Sequence, residues 1–389
     1  MGFSQTAEHR RGKHSYHQVG LVRGQFGAVA EDEWLDFIAE TGYDGWEEAA
    51  WELNLDACGD DAGAAAYAKE RVQKAKSRGM EIFTVAVHLQ GQALGDEPSA
   101  KTLQFVSGEP VDAYKAWRDA GNEPPRNDPL YVPSDVGQLI HHTAQRHLVN
   151  AVRLAHFLGK EQDRTVIVPG FVGSPAHCWA SWFQFPPAPS SIAGCAIADP
   201  REVSLELLVE RFGPVFEACQ KYGTKFGLEC HPTERAMGDI ESAGDFLRSM
   251  DKAGFGDVAG FNFDASHMEW QNVSGVEFIR EYGDAIYSAH IKGVQVMRDH
   301  CRAGLLGGHR DMGTKHNGWN FVTAGTQRDA VSVEEIIVEL NRAGFDGAIN
   351  IEWEDNDVDK FDGARIALSN LHRGDAAPSF QRHDESLKA

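Results

Sequence analysis

The sequence predicts an α/β protein folded as a closed (β/α)8 TIM barrel, and three observations predict it. Short runs rich in Val, Ile and Phe alternate with longer amphipathic stretches from about residue 18 to about residue 372, the mark of repeated strand–helix units. Two junctions nearly repeat each other, Gly42-Tyr43-Asp44-Gly45 and Gly344-Phe345-Asp346-Gly347, and each leads into a run containing a glutamate. No Gly-rich GxGxxG follows the first run, as an open dinucleotide-binding sheet would require, so eight units in a row favour closure.

In chain order the expected strands are 18–22, 45–48, 81–88, 165–168, 225–231, 260–264, 286–292 and 348–353, with helices such as 31–41, 64–78, 136–158, 204–222, 242–253 and 332–343 between them. Gly42, Gly79, Gly159, Gly223, Gly254 and Gly344 stand where helix C-terminal caps are needed. A barrel needs only about 250 residues. The surplus falls in long loops after strands 3, 4 and 7, at 89–135, 169–203 and 293–331, all beyond the strand ends where barrels bind substrates. The second holds Trp179, Trp182, Phe183, Phe185, Pro186, Pro187 and Pro189, and the third His300, His309, Arg310, His316, Trp319 and Phe321. Such loops serve as subunit contacts or lids at least as readily as substrate walls. The expected organisation is an N-terminal extension (1–17), a barrel (18–372) and a C-terminal tail (373–389).

Composition narrows the function classes. Of 389 residues 42% are hydrophobic, enough for a large core, and 37 Lys+Arg against 58 Asp+Glu leave a formal charge of −21. So acidic a chain repels phosphate backbones and anionic lipid, and neither nucleic acid nor a membrane is an expected partner. No apolar run of signal-peptide length opens the chain, and none approaches the roughly 18 to 20 residues a membrane span needs. Six scattered cysteines without a CxxC pair suit a reducing cytoplasm.

Strand side chains alternate between the helix layer and the barrel axis. In 225–231, Phe226, Leu228 and Cys230 oppose Lys225, Gly227, Glu229 and His231. Phe261 and Phe263 oppose Asn262 and Asp264; Ala289 and Ile291 oppose Ser288, His290 and Lys292; Ile349, Ile351 and Trp353 oppose Asn350 and Glu352. With the apolar sets against the helices, Glu229, Asp264, His290 and Glu352 converge at four successive strand ends. Burying them unpaired would be very costly. A divalent cation resolves the conflict, and three carboxylates with one imidazole suit Mn²⁺, Mg²⁺, Co²⁺, Fe²⁺ or Zn²⁺. Taken singly, each could instead be a rim charge paired with a local Arg or Lys.

Leu228-Glu229-Cys230-His231-Pro232, Asn262-Phe263-Asp264-Ala265-Ser266-His267 followed by Trp270-Gln271, Ala289-His290-Ile291-Lys292 and Ile351-Glu352-Trp353-Glu354-Asp355 resemble the xylose isomerase-like sugar isomerase/epimerase superfamily. The resemblance covers nearly all of 18–372 outside the long loops. It implies one divalent metal ion, Mn²⁺ above all, held by Glu229, Asp264, His290 and Glu352. It also implies His267 beside substrate or a ligand, and Glu47 as a polar contact. Ketose epimerases of this family place an arginine soon after the ligand histidine. Here the nearest is Arg298, and Gly293 stands where many relatives carry aspartate. The Asp-x-Ser-His…Trp-Gln form and the loop after strand seven look similar to relatives acting on oxidised glycosides, including C-glycoside deglycosidase catalytic subunits and eliminases of 3-keto-sugars.

The chemistry of the residues agrees. A metal beside two glutamates suits removal of a proton next to a sugar carbonyl through an ene-diolate, with Glu229 and Glu352 as acid and base. Returning the proton elsewhere isomerises or epimerises; loss of a β-substituent makes the protein a lyase on a 3-keto-glycoside, with His231, His267 or His88 as acid. His88 can equally be structural, and Lys292 can hold a substrate hydroxyl or pair with a ligand carboxylate. Arg298, His309 and Trp319 complete the candidate substrate contacts. An apurinic-site endonuclease and a non-catalytic sugar-binding barrel are the remaining readings. The expected partners are a sugar or glycoside and further copies of the chain, with room for a small accessory subunit.

Overall fold

Eight parallel strands form a nearly closed TIM barrel in the computed structural model, which describes residues 15–178, 189–232, 234–235, 238–297, 302–305 and 316–379. They are β1 (Val19–Val22), β2 (Gly45–Ala49), β3 (Glu81–Ala86), β4 (Val168–Gly170), β5 (Phe226–Glu229), β6 (Ala259–Asp264), β7 (Ile286–Ile291) and β8 (Ile349–Ile351). Their order is β3-β2-β1-β8-β7-β6-β5-β4. The ring is completed where Val85 N donates to Ile167 O (3.0 Å) and Val87 N to Pro169 O (2.7 Å). Each strand is followed by a helix: α1 (Glu31–Thr41), α2 (Asp61–Lys76), α3 (Ser134–Gln162), α4 (Pro200–Tyr222), α5 (Ile240–Ala253), α6 (Gly275–Tyr282), α7 (Val333–Ala343) and α8 (Lys360–Gly374).

Local sequence fixes the helix ends. Asp60, Asp239, Ser274 and Ser332 accept a backbone N–H of the first turn that follows them, the usual service of an N-cap oxygen. Gly42, Gly223, Gly254 and Gly344 end their helices with a positive φ. Gly159 does not: α3 runs through it to Gln162, and Asp163 takes the left-handed position (φ 57°). The glycine serves packing instead, since a Cβ there would lie 2.5 Å from the Arg164 carbonyl oxygen. Gly79 also has positive φ, two residues beyond the Ser77 cap of α2.

The chain comprises two compact units, residues 47–263 and residues 1–46 with 264–389, and the divisions fall inside β2 and β6. In the first, Ile140, Leu148, Leu154 and Leu158 of α3 are fully buried, and Phe226 packs against Phe212 and Phe216. Glu48 meets Arg71 in a buried two-pronged ion pair. In the second, Phe26 gathers Trp34, Trp353 and Phe361, and Tyr43 donates to Ala364 O at 2.8 Å. His17, two residues before β1, is tied to Asp375, the residue after α8: its Nδ1 lies 2.7 Å from Asp375 Oδ1 and its N–H donates to Oδ2 at 2.8 Å. Of the cysteines, Cys58, Cys178, Cys195, Cys219 and Cys230 are free thiols, and burial pushes that of Cys58 up to about 11.

The described parts of the three insertions contain regular elements. After β3 come short helices at His88–Gly95, Ala100–Leu103 and Glu109–Asp119. After β7, Gly293–Val296 pairs antiparallel with Trp319–Val322. The described part after β4 includes a two-residue hairpin, Ser191–Ile192 with Cys195–Ala196. Several strand limits differ from expectation: β5 ends at Glu229 and β8 at Ile351, so His231 and Glu352 follow their strands rather than lie within them. β3 stops at Ala86, so His88 opens a helix rather than ending a strand. β4 lies further along because Pro169 and Gly170, which read as the start of a loop, pair in register with Gly227 and Leu228. Among the described residues no helix is long and apolar enough to cross a membrane.

Gly91 and Gly95 put one bare face of the helix after β3 against residues 171–173. A Cβ on Gly95 would overlap the Val172 carbonyl, and one on Gly91 that of Phe171. Gly95→Ala is expected to destabilise the protein by about 1 to 3 kcal/mol, as overpacking does; an unchanged denaturation midpoint would show that this contact is not tight.

Candidate metal centre

In the unit 47–263, β5 ends on Glu229, only 2% exposed, directly beside Asn262 of β6 in register. Asn262 Nδ2 donates to Glu229 Oε2 at 2.8 Å, and His88 Nε2 lies 3.0 Å from the same oxygen. Opening the helix after β3, rather than extending the strand, brings His88 here. Phe171 packs on His88 (ring centroids 4.6 Å) and on His231 (5.0 Å). Glu47 is fully buried and accepts from Thr84 Oγ1 at 2.7 Å. Glu234 takes the N–H groups of Val172 and Gly173 on one oxygen, and burial raises its carboxyl well above the usual range.

In the unit that contains β7 and β8, Asp264 Oδ1 accepts from Ser266 N at 2.8 Å. Its buried Oδ2 makes no hydrogen bond, with Lys292 Nζ 3.3 Å and His267 Nε2 3.6 Å away. Lys292 is 3% exposed; its ammonium donates to Glu352 Oε2 (2.9 Å), lies 3.1 Å from His267 Nε2 and sits 4.4 Å from the Phe321 ring centroid. His290 Nδ1 is 3.1 Å from Glu352 Oε2, while Gln25 Nε2 donates to Glu352 Oε1 (2.6 Å) and Glu354 Oε1 (3.2 Å). Burial raises the Glu354 carboxyl. The hairpin after β7 adds aromatic rings. Phe321 meets His267 edge-on at 5.4 Å, Trp319 packs on Phe321, and Trp319 stacks on Trp270 at 4.8 Å.

One ligand atom from each of Glu229, Asp264, His290 and Glu352 lies within 4.8 Å of the others. Three buried carboxylates at such spacing repel strongly, and Lys292 supplies a single positive charge against them. The oxygen-rich donor set, in which Asp264 Oδ2 accepts no hydrogen bond, therefore fits a divalent cation, although it does not select one.

The four ligands expected from strand phase thus come together, joined by His88, His267 and Lys292. Lys292 takes the second of its two expected roles, pairing with Asp264 and Glu352. His231 packs its ring on Phe171, Glu47 lies beneath on Thr84, and Trp319 is half-buried. Arg298 and His309 fall outside the described residues, as do Trp179, Trp182, Phe183, Phe185, Pro186, Pro187, His300 and Arg310. Sequence reasoning missed Gln25, Phe171 and Glu354. Gln25 and Phe171 follow the ends of β1 and β4, the same position that revealed the ligands, and that position was the available signal.

Two aspartates hold the return of the hairpin. Asp329 accepts N–H groups from Val294, Gly325 and Val331, and burial pushes its carboxyl up to about 6. Asp355 Oδ2 accepts from Thr323 N (2.8 Å), Thr323 Oγ1 (2.9 Å) and Arg328 (2.6 Å). Asp355→Ala would strand these donors in a buried place, for an expected loss of about 2 to 4 kcal/mol. Faster amide exchange across 319–331 is the local sign to look for; exchange unchanged there would contradict the role.

Known proteins agree with this architecture. The profile of the family described as xylose isomerase-like TIM barrel matches residues 137–373. The uncharacterized protein YfiH of Bacillus subtilis (strain 168) is 28% identical over 117 residues, 30% of this chain and 37% of that protein, so the match spans little more than a third of the relative's length. The crystal structure of 3-keto-D-glucoside 4-epimerase YcjR from E. coli aligns with a TM-score of 0.53 at 11% identity, covering 92% of this chain and 99% of that one. D-psicose 3-epimerase from Clostridium cellulolyticum H10 aligns at 0.50 with 15% identity, covering 92% and 98%. With the profile covering more than half of its length, this chain belongs to the xylose isomerase-like TIM barrel family.

Proposed function

We propose that the protein is a divalent-metal-dependent enzyme of the sugar isomerase/epimerase type that removes a proton next to a sugar carbonyl. The observation that carries this reading is the convergence of Glu229, Asp264, His290 and Glu352 within 4.8 Å. Those residues would hold the cation, which supplies Lewis-acid polarisation of a carbonyl and stabilises the negative charge that develops beside it. Glu229 and Glu352 are the candidate base and acid, placed to take a carbon-bound proton and return it. Lys292 and Gln25 hold different oxygens of Glu352 and so fix its orientation. His267 presents its ring between Lys292 and Phe321, where it can orient a substrate hydroxyl. The aromatic hairpin helps exclude water.

A second reading, a lyase acting on a 3-keto-glycoside, is favoured by His88. Its Nε2 is 3.0 Å from Glu229, so a histidine proton stands beside the base and could pass to a leaving oxygen. Elimination and epimerisation share the first proton removal, and the identity of the product separates them.

Purified protein is expected to contain close to one divalent ion per chain, with occupancy and activity falling together in His290→Ala. Full activity after chelator treatment would reject metal dependence. Glu229→Gln should slow exchange of the substrate's α-proton with solvent deuterium by about 10³-fold, within the range of general-base catalysis. Turnover that breaks no carbon–hydrogen bond would reject the chemistry.

Substrate charge gives a separate expectation. Lys292 is already engaged by carboxylates and the chain carries −21, while Trp319 and Phe321 offer flat apolar surface suited to a sugar ring or aglycone. An unphosphorylated sugar or glycoside is expected to have the higher kcat/KM of a matched pair. Preference for the phosphorylated member would overturn this.

A further inference from the structure

Beyond β4 the chain leaves the sheet, so its backbone N–H groups must find partners elsewhere. Three carboxylates supply them. Glu234 Oε2 accepts from Val172 at 2.6 Å and from Gly173, Asp96 Oδ1 accepts from Ser174 at 2.8 Å, and Glu97 Oε1 accepts from Ala176 at 3.2 Å. The carbonyl side is closed as well: the Gly173 oxygen accepts from Arg235 N at 2.9 Å, and the Phe171 and Val172 oxygens face Gly91 and Gly95. The segment needs this grip. Ala176 (φ 55°) and His177 (φ 51°) are consecutive left-handed residues and neither is glycine, a conformation that persists only where its surroundings over-determine it.

Glu234 differs from the other two carboxylates in what it joins. It follows β5 in the turn after Glu229, and its own N–H donates to His231 O at 2.9 Å, so one turn carries both His231 and the grip on residues 172–173. Phe171, the next residue back, packs its ring on His88 at 4.6 Å and on His231 at 5.0 Å. Glu234 is fully buried, and its Oε1 makes no hydrogen bond among the described residues. Burial, with Asp96 nearby, pushes its carboxyl well above the usual range. The two N–H groups thus meet a carboxyl whose charge is disfavoured, and an amide oxygen can take over its part.

We propose that Glu234 is a positioning residue of the candidate site: by holding Val172 and Gly173 it fixes the Phe171 ring, and through that ring the facing of His88 and His231. His88 Nε2 stands 3.0 Å from Glu229 Oε2, an approach that a turn of its ring would break. Glu234 acts only through these neighbours. Its consequence for turnover rests on the function proposed above.

Histidine-ring NMR on full-length protein tests this, with chelator treatment to remove any paramagnetic ion. The His88 and His231 signals are assigned with His88→Gln and His231→Gln, and Phe171→Leu gives the change that follows loss of the aromatic ring. Glu234→Leu is expected to move both signals in the direction that Phe171→Leu moves them, and Glu234→Gln to leave both in place. A lower Tm would accompany many buried substitutions, but rescue of these signals by the amide would not follow from a merely structural role. If Glu234→Leu fails to fold, Glu234→Asp, too short to reach both N–H groups, decides. Signals unmoved by the Leu or Asp variant, or moved as far by Gln as by Leu, overturn the proposal. Deuterium exchange into methyl 3-dehydro-α-D-glucopyranoside and D-fructose is followed in Mn²⁺-supplemented protein. In Glu234→Leu, kcat is expected to fall by about tenfold or more with KM within about twofold, as misplacement without lost binding would give. Unchanged kcat alongside moved signals would also overturn the proposal. If the unmodified protein exchanges neither probe, the catalytic reading fails, and the histidine signals still decide whether Glu234 sets the two rings.

Discussion

Mutual repulsion among three carboxylates held in a buried space is the constraint around which this molecule is arranged. One ligand atom from each of Glu229, Asp264 and Glu352 is brought to within 4.8 Å of the others and of one from His290, and several neighbours answer the charge they create. Asn262 and His88 approach Glu229, Ser266 donates to Asp264, and Gln25 and Lys292 divide the oxygens of Glu352 between them. Each of these groups can donate a hydrogen bond. In a low-dielectric interior donors aimed at carboxylates fix their orientation, which is also what a base awaiting a carbon-bound proton needs.

The same economy of position governs the aromatic wall. Phe321 reaches His267 and Lys292 only because its strand is returned by a segment clamped on Asp355 and Asp329. Asp355 lies three residues beyond Glu352, so one short stretch after β8 supplies a candidate ligand, a bond to Gln25 and the anchor of the hairpin. The motif Glu352-Trp353-Glu354-Asp355 is compact because three elements are fastened there. Trp353 adds a fourth attachment by packing against Gly363 at the start of α8, where a Cβ would collide with its indole.

Much of this was legible in the sequence, and the physical reason is periodicity. Alternation in and just beyond β5 to β8 separates Phe226, Leu228, Phe261 and Ile351 from Glu229, Asp264 and Glu352 whatever the surrounding loops do, so the barrel and the grouping of the candidate ligands could be read from pattern. His88 was placed near the site but on the wrong kind of element, because the alternation of β3 continues past the point where the backbone turns into a helix. Gly159 was misread for a different reason: a glycine near a helix end can serve a cap or a close backbone approach, and only packing distinguishes them. Gln25 and Phe171 lie outside any periodic run, in turns whose direction depends on contacts made far away in the chain. Their place just beyond a strand end was the one local sign available, and alternation could not supply it.

The pairing of β1 with β8 has a further consequence, for the order in which a ribosome delivers the parts. Val19 to Leu21 meet Ile349 to Ile351, and His17 is fastened to Asp375, so one edge of β1 stays bare until Ile349 to Ile351 have been made. All four candidate ligands also come from the latter half of the chain, the last of them at Glu352. During synthesis at about 5 to 20 residues per second, an exposed strand edge and an incomplete acidic cluster would therefore coexist for many seconds. Cellular factors that shield apolar edges would have their longest engagement with β1, and a cation could not meet all of its candidate ligands before Glu352 had emerged.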